Sequence, residues 1–311
     1  MRVLITGGLG LIGSGLRAAL EAIGATSEAF DLRGSPSEGD FGDIRDLDSL
    51  RARVRGFDGI VHLAAVSRVI WCEQDPVDGW ATNVDGTKNV LRAAGEVPGR
   101  RPWFLYASSR EVYGQHGHLP VSEDAPLWPI NVYGRSKVAA ETMTMEARAV
   151  GLVTGIMRLS NVFGSTHDHP NRVVPAFARA AAMGGVMHIE GGENVFDFTW
   201  LDDVARGIAS FCQALSAGGE LPPIHFVTGR GTNLLELADM AQSAGGPGTR
   251  IEHHPPRSYD VERFWGDPQR AKEVLGWSAE TSVEDGVGRL VKAFMLGQDE
   301  GEAAETGTVP S

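Results

Sequence analysis

The segment Thr6-Gly7-Gly8-Leu9-Gly10-Leu11-Ile12-Gly13 constrains the fold more than any other stretch. It sits between a β-type apolar run (Val3-Leu4-Ile5) and an amphipathic helical pattern over 11–23. Two glycine registers overlap in it: Gly8, Gly10 and Gly13 as G-x-G-x-x-G, and Gly7, Gly10 and Gly13 as G-x-x-G-x-x-G. Glycine in a strand-to-helix turn permits the tight bend, the close approach of a pyrophosphate and close packing of helix on strand. The helix start behind it presents free N–H groups and about half a positive charge. A second strand is expected over 26–31, ending in Asp31. A carboxylate there accepts from ribose hydroxyls and repels a 2′-phosphate, so the pattern predicts NAD rather than NADP. Gly7, Gly10, Leu11, Ile12, Gly13 and Asp31 are the first cofactor candidates.

Strand and helix patterns alternate through the first 165 residues. Gly59 to Leu63 suits a strand buried on both faces, 76–95 reads as one helix opened by Pro76, and 104–107 as a strand. Residues 136–149 read as a helix and 154–159 as another strand. Such alternation implies right-handed crossovers and an α/β, doubly wound parallel sheet of the Rossmann type. Beyond it, 173–184 and 202–217 read as helices, and 265–296 returns to helical periodicity. The expected organisation is an NAD-binding domain over 1–165, with segments at about 195–230 returning to it. A smaller, discontinuous α/β substrate domain follows over 166–296, and a disordered acidic tail over 297–311.

Composition narrows the partners. With 28 Lys and Arg against 40 Asp and Glu the net charge is −12, which argues against nucleic-acid binding. Two cysteines, Cys72 and Cys212, are too few for a disulfide framework or a zinc site. The pairs His116/His118, His167/His169 and His253/His254 are expected in loops without further ligands, so no metal is expected. No apolar stretch is long enough to cross a membrane, and no signal-peptide pattern opens the chain. A cytoplasmic protein is the expectation. Glycine, at 40 of 311 residues, exceeds its usual share of about 7%; much of the excess lies beyond residue 180.

Tyr133 and Lys137 are one helical turn apart and project from one face. An adjacent ammonium favours the phenolate of a tyrosine that otherwise ionises at about pH 10. Such a tyrosine can exchange a proton with a substrate hydroxyl. Ser108 and Ser109 follow the 104–107 strand, at the carboxyl end where ligands of open α/β sheets bind.

Together with these elements, the chain resembles the extended short-chain dehydrogenase/reductases over residues 1–295, specifically the nucleotide-sugar epimerase/dehydratase group. The further matching motifs are Asp43-Ile44-Arg45-Asp46, His62-Leu63-Ala64-Ala65, Asn83-Val84-Asp85-Gly86-Thr87, Ser108 to Gly114, Arg158 to Gly164, Asp197 to Val204 and Leu275-Gly276-Trp277. The resemblance implies that Asp43 and Ile44 embrace adenine, that Leu63, Ala64 and Ala65 line the cofactor channel, and that Asn83 and Ser108 lie beside the cofactor. It implies Ser109 as the catalytic hydroxyl, Tyr133 as the acid/base and Lys137 as its partner. Asn161 and Arg257 match residues that hold the sugar or its diphosphate, and Ser67 and Arg172 fall on the substrate side. A homodimer is implied, through a four-helix interface that includes 76–95 and the helix of Tyr133.

Two positions depart from the family pattern. Phe196 stands where most relatives carry an arginine that grips the diphosphate; Arg172, Arg257 and Arg263 are candidate substitutes. Ser109-Arg110-Glu111 stands where dehydratases carry Thr-Asp-Glu. The guanidinium of Arg110 cannot act as a general acid, which disfavours loss of water, whereas it can pair with a carboxylate. Glu111 remains available for catalysis; a solvated Arg110–Glu111 pair is the plain alternative. The expected activity is NAD-dependent 4-epimerisation of a nucleotide sugar, UDP-linked, through a transient 4-keto intermediate. The alternatives are a 4,6-dehydratase, a uronate decarboxylase or a 4-ketoreductase on the same scaffold and, in another class, a non-catalytic NAD-binding sensor.

Overall fold

The computed structural model describes residues 1–246 and 248–305. The first half runs β1 (Arg2–Thr6), α1 (Leu11–Ala22), β2 (Thr26–Phe30), α2 (Leu47–Arg53), β3 (Gly59–His62), α3 (Val69–Gln74), α4 (Pro76–Trp80) and α5 (Thr87–Gly95). It continues with β4 (Trp103–Ser109), α6 (Val132–Ala149), β5 (Thr154–Leu159) and β6 (Asn161–Phe163). The second half holds α7 (Val173–Met183), β7 (Val186–Glu190), β8 (Val195–Phe196), β9 (Phe198–Trp200), α8 (Leu201–Ser216) and β10 (Ile224–Phe226). The last elements are β11 (Thr232–Asn233), α9 (Leu234–Ala244), β12 (Arg250–His254), β13 (Arg263–Phe264), α10 (Gln269–Leu275) and α11 (Val283–Glu305).

Six of these strands form one parallel sheet in the order β10-β5-β4-β3-β1-β2. Val3, Leu4 and Ile5 of β1 are fully buried because both faces of the sheet are covered. Leu16 and Leu20 of α1 pack with Ile208 and Phe211 of α8 on one side. Leu50 of α2, Val90 of α5 and Ala140 of α6 pack on the other. This is the doubly wound Rossmann arrangement that the alternation predicts. A separate cluster gathers Phe177 of α7, Ile189 of β7, Leu237 of α9 and Val287 of α11.

Local chemistry sets where the elements begin. Gly10, the residue before α1, has extended backbone and no side chain caps the helix, so its first N–H groups stay free for a ligand. Asn131 caps α6 by accepting from Gly134 N, so the helix starts at Val132 rather than Ser136 and already carries Tyr133. The single helix expected over 76–95 is interrupted by a π-type turn over Ala81–Gly86, which directs Asn83 into the interior. Hydrophobic periodicity does not reveal a turn of this kind.

The helical pattern over 265–296 resolves into two helices, because α10 ends at Gly276 in the left-handed region (φ 64°). Helix α11 runs on to Glu305, into the segment expected as a tail; alanine and glutamate there favour helix. The rest of that expected tail, 306–311, lies outside the described residues.

Candidate active site

A cavity of about 300 Å³ opens at the carboxyl ends of the sheet strands, where ligands of open α/β sheets bind. Ile12, Leu63 and Ala65 form an apolar wall, and Ser108 and Ser109 at the end of β4 face it. Helix α6 contributes Tyr133 and Lys137, and β6 contributes Asn161. Ser67, Arg110, Glu111, Arg172 and Arg257 complete the sequence candidates that the fold brings together here. Arg68, Asp168, Asn171, Glu190, Asn194 and Phe196 also line it.

Tyr133 is buried and its phenol is pushed up by that burial. Arg172 and a hydrogen bond with Ser109 pull the other way, while the Glu111 carboxylate adds to the rise. Lys137 is equally buried, and burial lowers its ammonium to about 8. Its Nζ donates to Ala107 O at 2.9 Å and lies 5.5 Å from the Tyr133 ring centroid. The expected lowering of the phenol by Lys137 is therefore not the dominant effect in this geometry; desolvation outweighs it. Ser109 Oγ also accepts from Glu111 N at 3.2 Å, which fixes the short turn after β4.

The remaining cofactor candidates surround the cavity without lining it. A Cβ on Gly7 (φ 69°) would meet Ala64 N at 2.7 Å, and one on Gly13 would meet Gly8 Cα at 2.6 Å. The loop, Ala64 and α1 are thus closed on one another to a degree only glycine allows. Asp31, at the end of β2, accepts from Leu9 N at 3.0 Å and from Arg33 N at 2.9 Å. Burial opposes ionisation, but Arg33 and the two backbone donors hold its carboxyl below the usual range. Arg33 was not marked by the sequence spacing; its guanidinium rests on that carboxylate at 3.2 Å. Leu11 opens α1. Asp43 is paired with Arg45 at 2.7 Å, and Ile44 is buried with Phe30 and Leu50. Asn83 holds the chain before the cavity wall: its Oδ1 accepts from Val66 N (2.8 Å), and its Nδ2 donates to Ser136 Oγ (3.0 Å).

The closed glycine cradle, the unpartnered Ser108 Oγ buried on the cavity wall and the carboxylate closing β2 together fit a dinucleotide. Asp168 Oδ2 is buried and unpartnered at the other end. Arg172 lies 3.5 Å from Asp168, and Arg257 pairs with Asp260 (2.8 Å) and Glu190 (3.2 Å). Arg68 donates to His169 Nδ1 and Asn171 O, bridging two walls of the cavity. Arg263, a candidate substitute for the arginine missing at 196, packs over Trp265 and is not among the residues that line the cavity. The Arg110–Glu111 pair is not solvated. Glu111 is buried and Arg110 nearly so, 2.9 Å apart, with Glu111 also accepting from Asn131 Nδ2 at 2.8 Å. Cys72 is a packed, buried thiol that burial pushes up to about 11.

Away from the cavity, the expectation that the histidine pairs lie in ligand-free loops needs one correction. His253 and His254 belong to β12, and His188, Glu252 and His254 place their ligand atoms within 4.8 Å of one another. The β7–β12 register causes this by setting Glu252 opposite His188. Among the described residues no helix is long and apolar enough to cross a membrane.

A doubly wound sheet with a glycine cradle at one end, and a serine, a tyrosine and a lysine converging on one cavity, defines an NAD-dependent enzyme of the extended short-chain dehydrogenase/reductase class. Residues 3–228 match the NAD dependent epimerase/dehydratase family, and the chain belongs to that family. It is 31% identical to the UDP-glucose 4-epimerase of Mycolicibacterium smegmatis, over 94% of this chain and 98% of that protein. It is 30% identical to UDP-glucuronic acid decarboxylase 2 of Arabidopsis thaliana, over 94% of this chain and 68% of that protein. The dTDP-glucose 4,6-dehydratase DesIV of Streptomyces venezuelae, solved with NAD, superposes with a TM-score of 0.85. That comparison has 28% identity and covers 96% of this chain and 98% of the other. NAD is the cofactor of this family.

Proposed function

We propose that the protein is a nucleotide-sugar 4-epimerase, with a UDP-linked sugar as substrate. The observation that carries this reading is Arg110, paired with the buried Glu111 immediately after Ser109. A permanently charged guanidinium cannot give a proton to a departing hydroxyl, so elimination lacks its acid while proton exchange at O4 keeps all its parts.

In this reading the sugar's O4 hydroxyl lies against Tyr133 and Ser109. Tyr133 Oη takes the O4 proton as the alcohol is oxidised and returns it as the ketone is reduced. Ser109 Oγ donates to the same oxygen and supports the charge that develops there. Glu111 holds Arg110 and sets the field on the phenol. Lys137 Nζ would hold the nicotinamide ribose and favour the phenolate. Gly7, Gly10, Leu11, Ile12 and Gly13 would hold the pyrophosphate, and Asp31 the adenosine ribose. Asp43, Ile44, Leu63, Ala64, Ala65, Asn83 and Ser108 would form the rest of the cofactor channel. NAD, when bound, supplies reversible hydride acceptance at its nicotinamide. Ser67, Asn161, Arg172 and Arg257 would hold the sugar and diphosphate, with the α7–α9–α11 cluster as the substrate domain. Exposed Val77 and Trp80 on α4 and Met145 on α6 support the dimer interface expected for these helices.

The test is incubation with UDP-glucose, UDP-glucuronate and their N-acetyl relatives, with the C4 configuration of the product read by NMR. A C4 epimer without net NADH supports the reading, and a 4-keto-6-deoxy product overturns it.

A further inference from the structure

We propose that Arg110, held over Phe196, reads a carboxylate on C6 of the sugar, so that the substrate class is a nucleotide-linked uronic acid. The inference rests on the 4-epimerase reading above, which sets the sugar's O4 between Tyr133 and Ser109.

The guanidinium carbon of Arg110 lies 4.4 Å from the centroid of the Phe196 ring, the distance of a stacked cation–π contact. The Glu111 carboxylate lies 2.9 Å from Nη2 as an ion pair and so holds one edge of the fork. The other terminal nitrogen, Nη1, is buried and has no partner, although Arg110 lines the cavity. A buried charged donor without an acceptor is a costly arrangement, and among the described residues none supplies one, which leaves that place to a ligand. With the aromatic ring beneath it and little solvent around it, this donor favours an anionic oxygen over a hydroxyl.

Its place in the chain then selects which anion. Arg110 follows Ser109, and both line the cavity together with Tyr133. The guanidinium is therefore near the reacting C4 end of the sugar. The diphosphate is attached at C1, across the ring, whereas C6 is carried on C5, the neighbour of C4. The other cavity arginines already engage elsewhere: Arg257 with Asp260 and Glu190, Arg172 with Asp168 and Ser67, Arg68 with His169 and Asn171. Phe196 accordingly has a defined use. It exchanges one fixed cation for an apolar platform that presents a different cation from β4.

The test measures binding to the full chain loaded with NAD and carrying Tyr133→Phe, so that turnover does not obscure affinity. UDP- and dTDP-linked glucose and glucuronate are compared by calorimetry. The uronate is expected to bind at least about tenfold more tightly than the hexose, the worth of one charge-assisted hydrogen bond. Arg110→Met is expected to remove most of that preference, with a larger loss for uronate than for hexose. Phe196→Leu, which keeps the guanidinium but removes its platform, is expected to reduce the preference part way. Retained NAD and an unchanged melting profile show that each variant is folded. Equal or tighter binding of the hexose overturns the proposal. So does an equal loss of both ligands in Arg110→Met, which would assign the guanidinium to the diphosphate. The product made by the Tyr133-containing enzyme is scored separately. Release of carbon dioxide and a pentose would sink the epimerase reading while leaving the uronate assignment standing.

Discussion

Lys137 Nζ stands 5.5 Å from the centroid of the Tyr133 ring and donates to Ala107 O at 2.9 Å. Helical spacing alone puts the two on one face; burial decides how they titrate. The ammonium is lowered to about 8 by desolvation, so it is easily neutralised in the folded chain. Between about pH 8 and 10.5 the unfolded chain holds the proton that the folded chain has released. Stability therefore rises with pH across that window, and the buried charge costs about 3 kcal/mol below it. Lys137→Met is expected to be more stable than wild type at pH 7 by up to that amount, with the gain shrinking from pH 8 upward. Urea denaturation of both proteins at pH 7 and 9.5 checks this, and a pH-independent difference would contradict it.

Tyr133→Phe removes the proton carrier without changing the ring's packing. Turnover is expected to fall by about 10²- to 10⁴-fold, the range for loss of a general acid/base, while bound NAD is retained. Assay of product formation and of the NAD content of the purified protein separates the two effects.

The glycine cradle makes a steric prediction. A methyl group on Gly13 would meet Gly8 Cα at 2.6 Å and the Gly8 carbonyl oxygen at 2.6 Å. Backbone atoms cannot step aside as a flexible side chain can, so the loop must open. Gly13→Ala is expected to weaken NAD binding by at least about tenfold, through the loss of close approach to the pyrophosphate. Fluorescence titration with NADH would reveal it.

Asp31 and Arg33 form a selectivity device. The Asp31 carboxylate occupies the Arg33 guanidinium at 3.2 Å. Asp31→Ser removes the negative charge and frees a cation suited to a 2′-phosphate. Affinity for NADP relative to NAD is expected to rise at least about tenfold, as measured by paired titrations with the two reduced cofactors.

The buried pair Arg158–Glu141 tests the scaffold. Arg158 Nε and Nη2 donate to Glu141 at 2.9 and 2.7 Å, and Nη1 reaches Tyr113 Oη at 2.6 Å. Glu141→Ala leaves an uncompensated guanidinium between β5 and α6. It is expected to destabilise the fold by about 3–5 kcal/mol, readable as a shift in the urea midpoint.

How much of this was legible in the sequence follows from the range of each interaction. The turn Gly7–Gly13, the acid at the end of β2 and the Tyr133–Lys137 pair are local patterns, so spacing shows them. Arg110 over Phe196 joins the end of β4 to β8, and no periodicity marks such a contact; the neighbouring Glu111 even suggested a solvated pair. Asp168 and Glu190 enter the cavity because Arg68 and Arg257 reach across to their segments, which is again a tertiary effect. Helix α9 and strand β12 lie in the glycine-rich half, where turn residues interrupt every apolar pattern. The wide turn at Asn83 preserves hydrophobic spacing on both sides, and so the chain reads as one straight helix.

In a 4-epimerase, chemistry stays at C4 and closes on itself. Proton NMR of the NAD-loaded enzyme with a UDP-linked sugar in deuterium oxide tests it most directly. Accumulation of the C4 epimer is expected, with protium retained at C4 and C5 and no net NADH. Deuterium at C5 with a 4-keto-6-deoxy product, or loss of C6 as carbon dioxide, would contradict it.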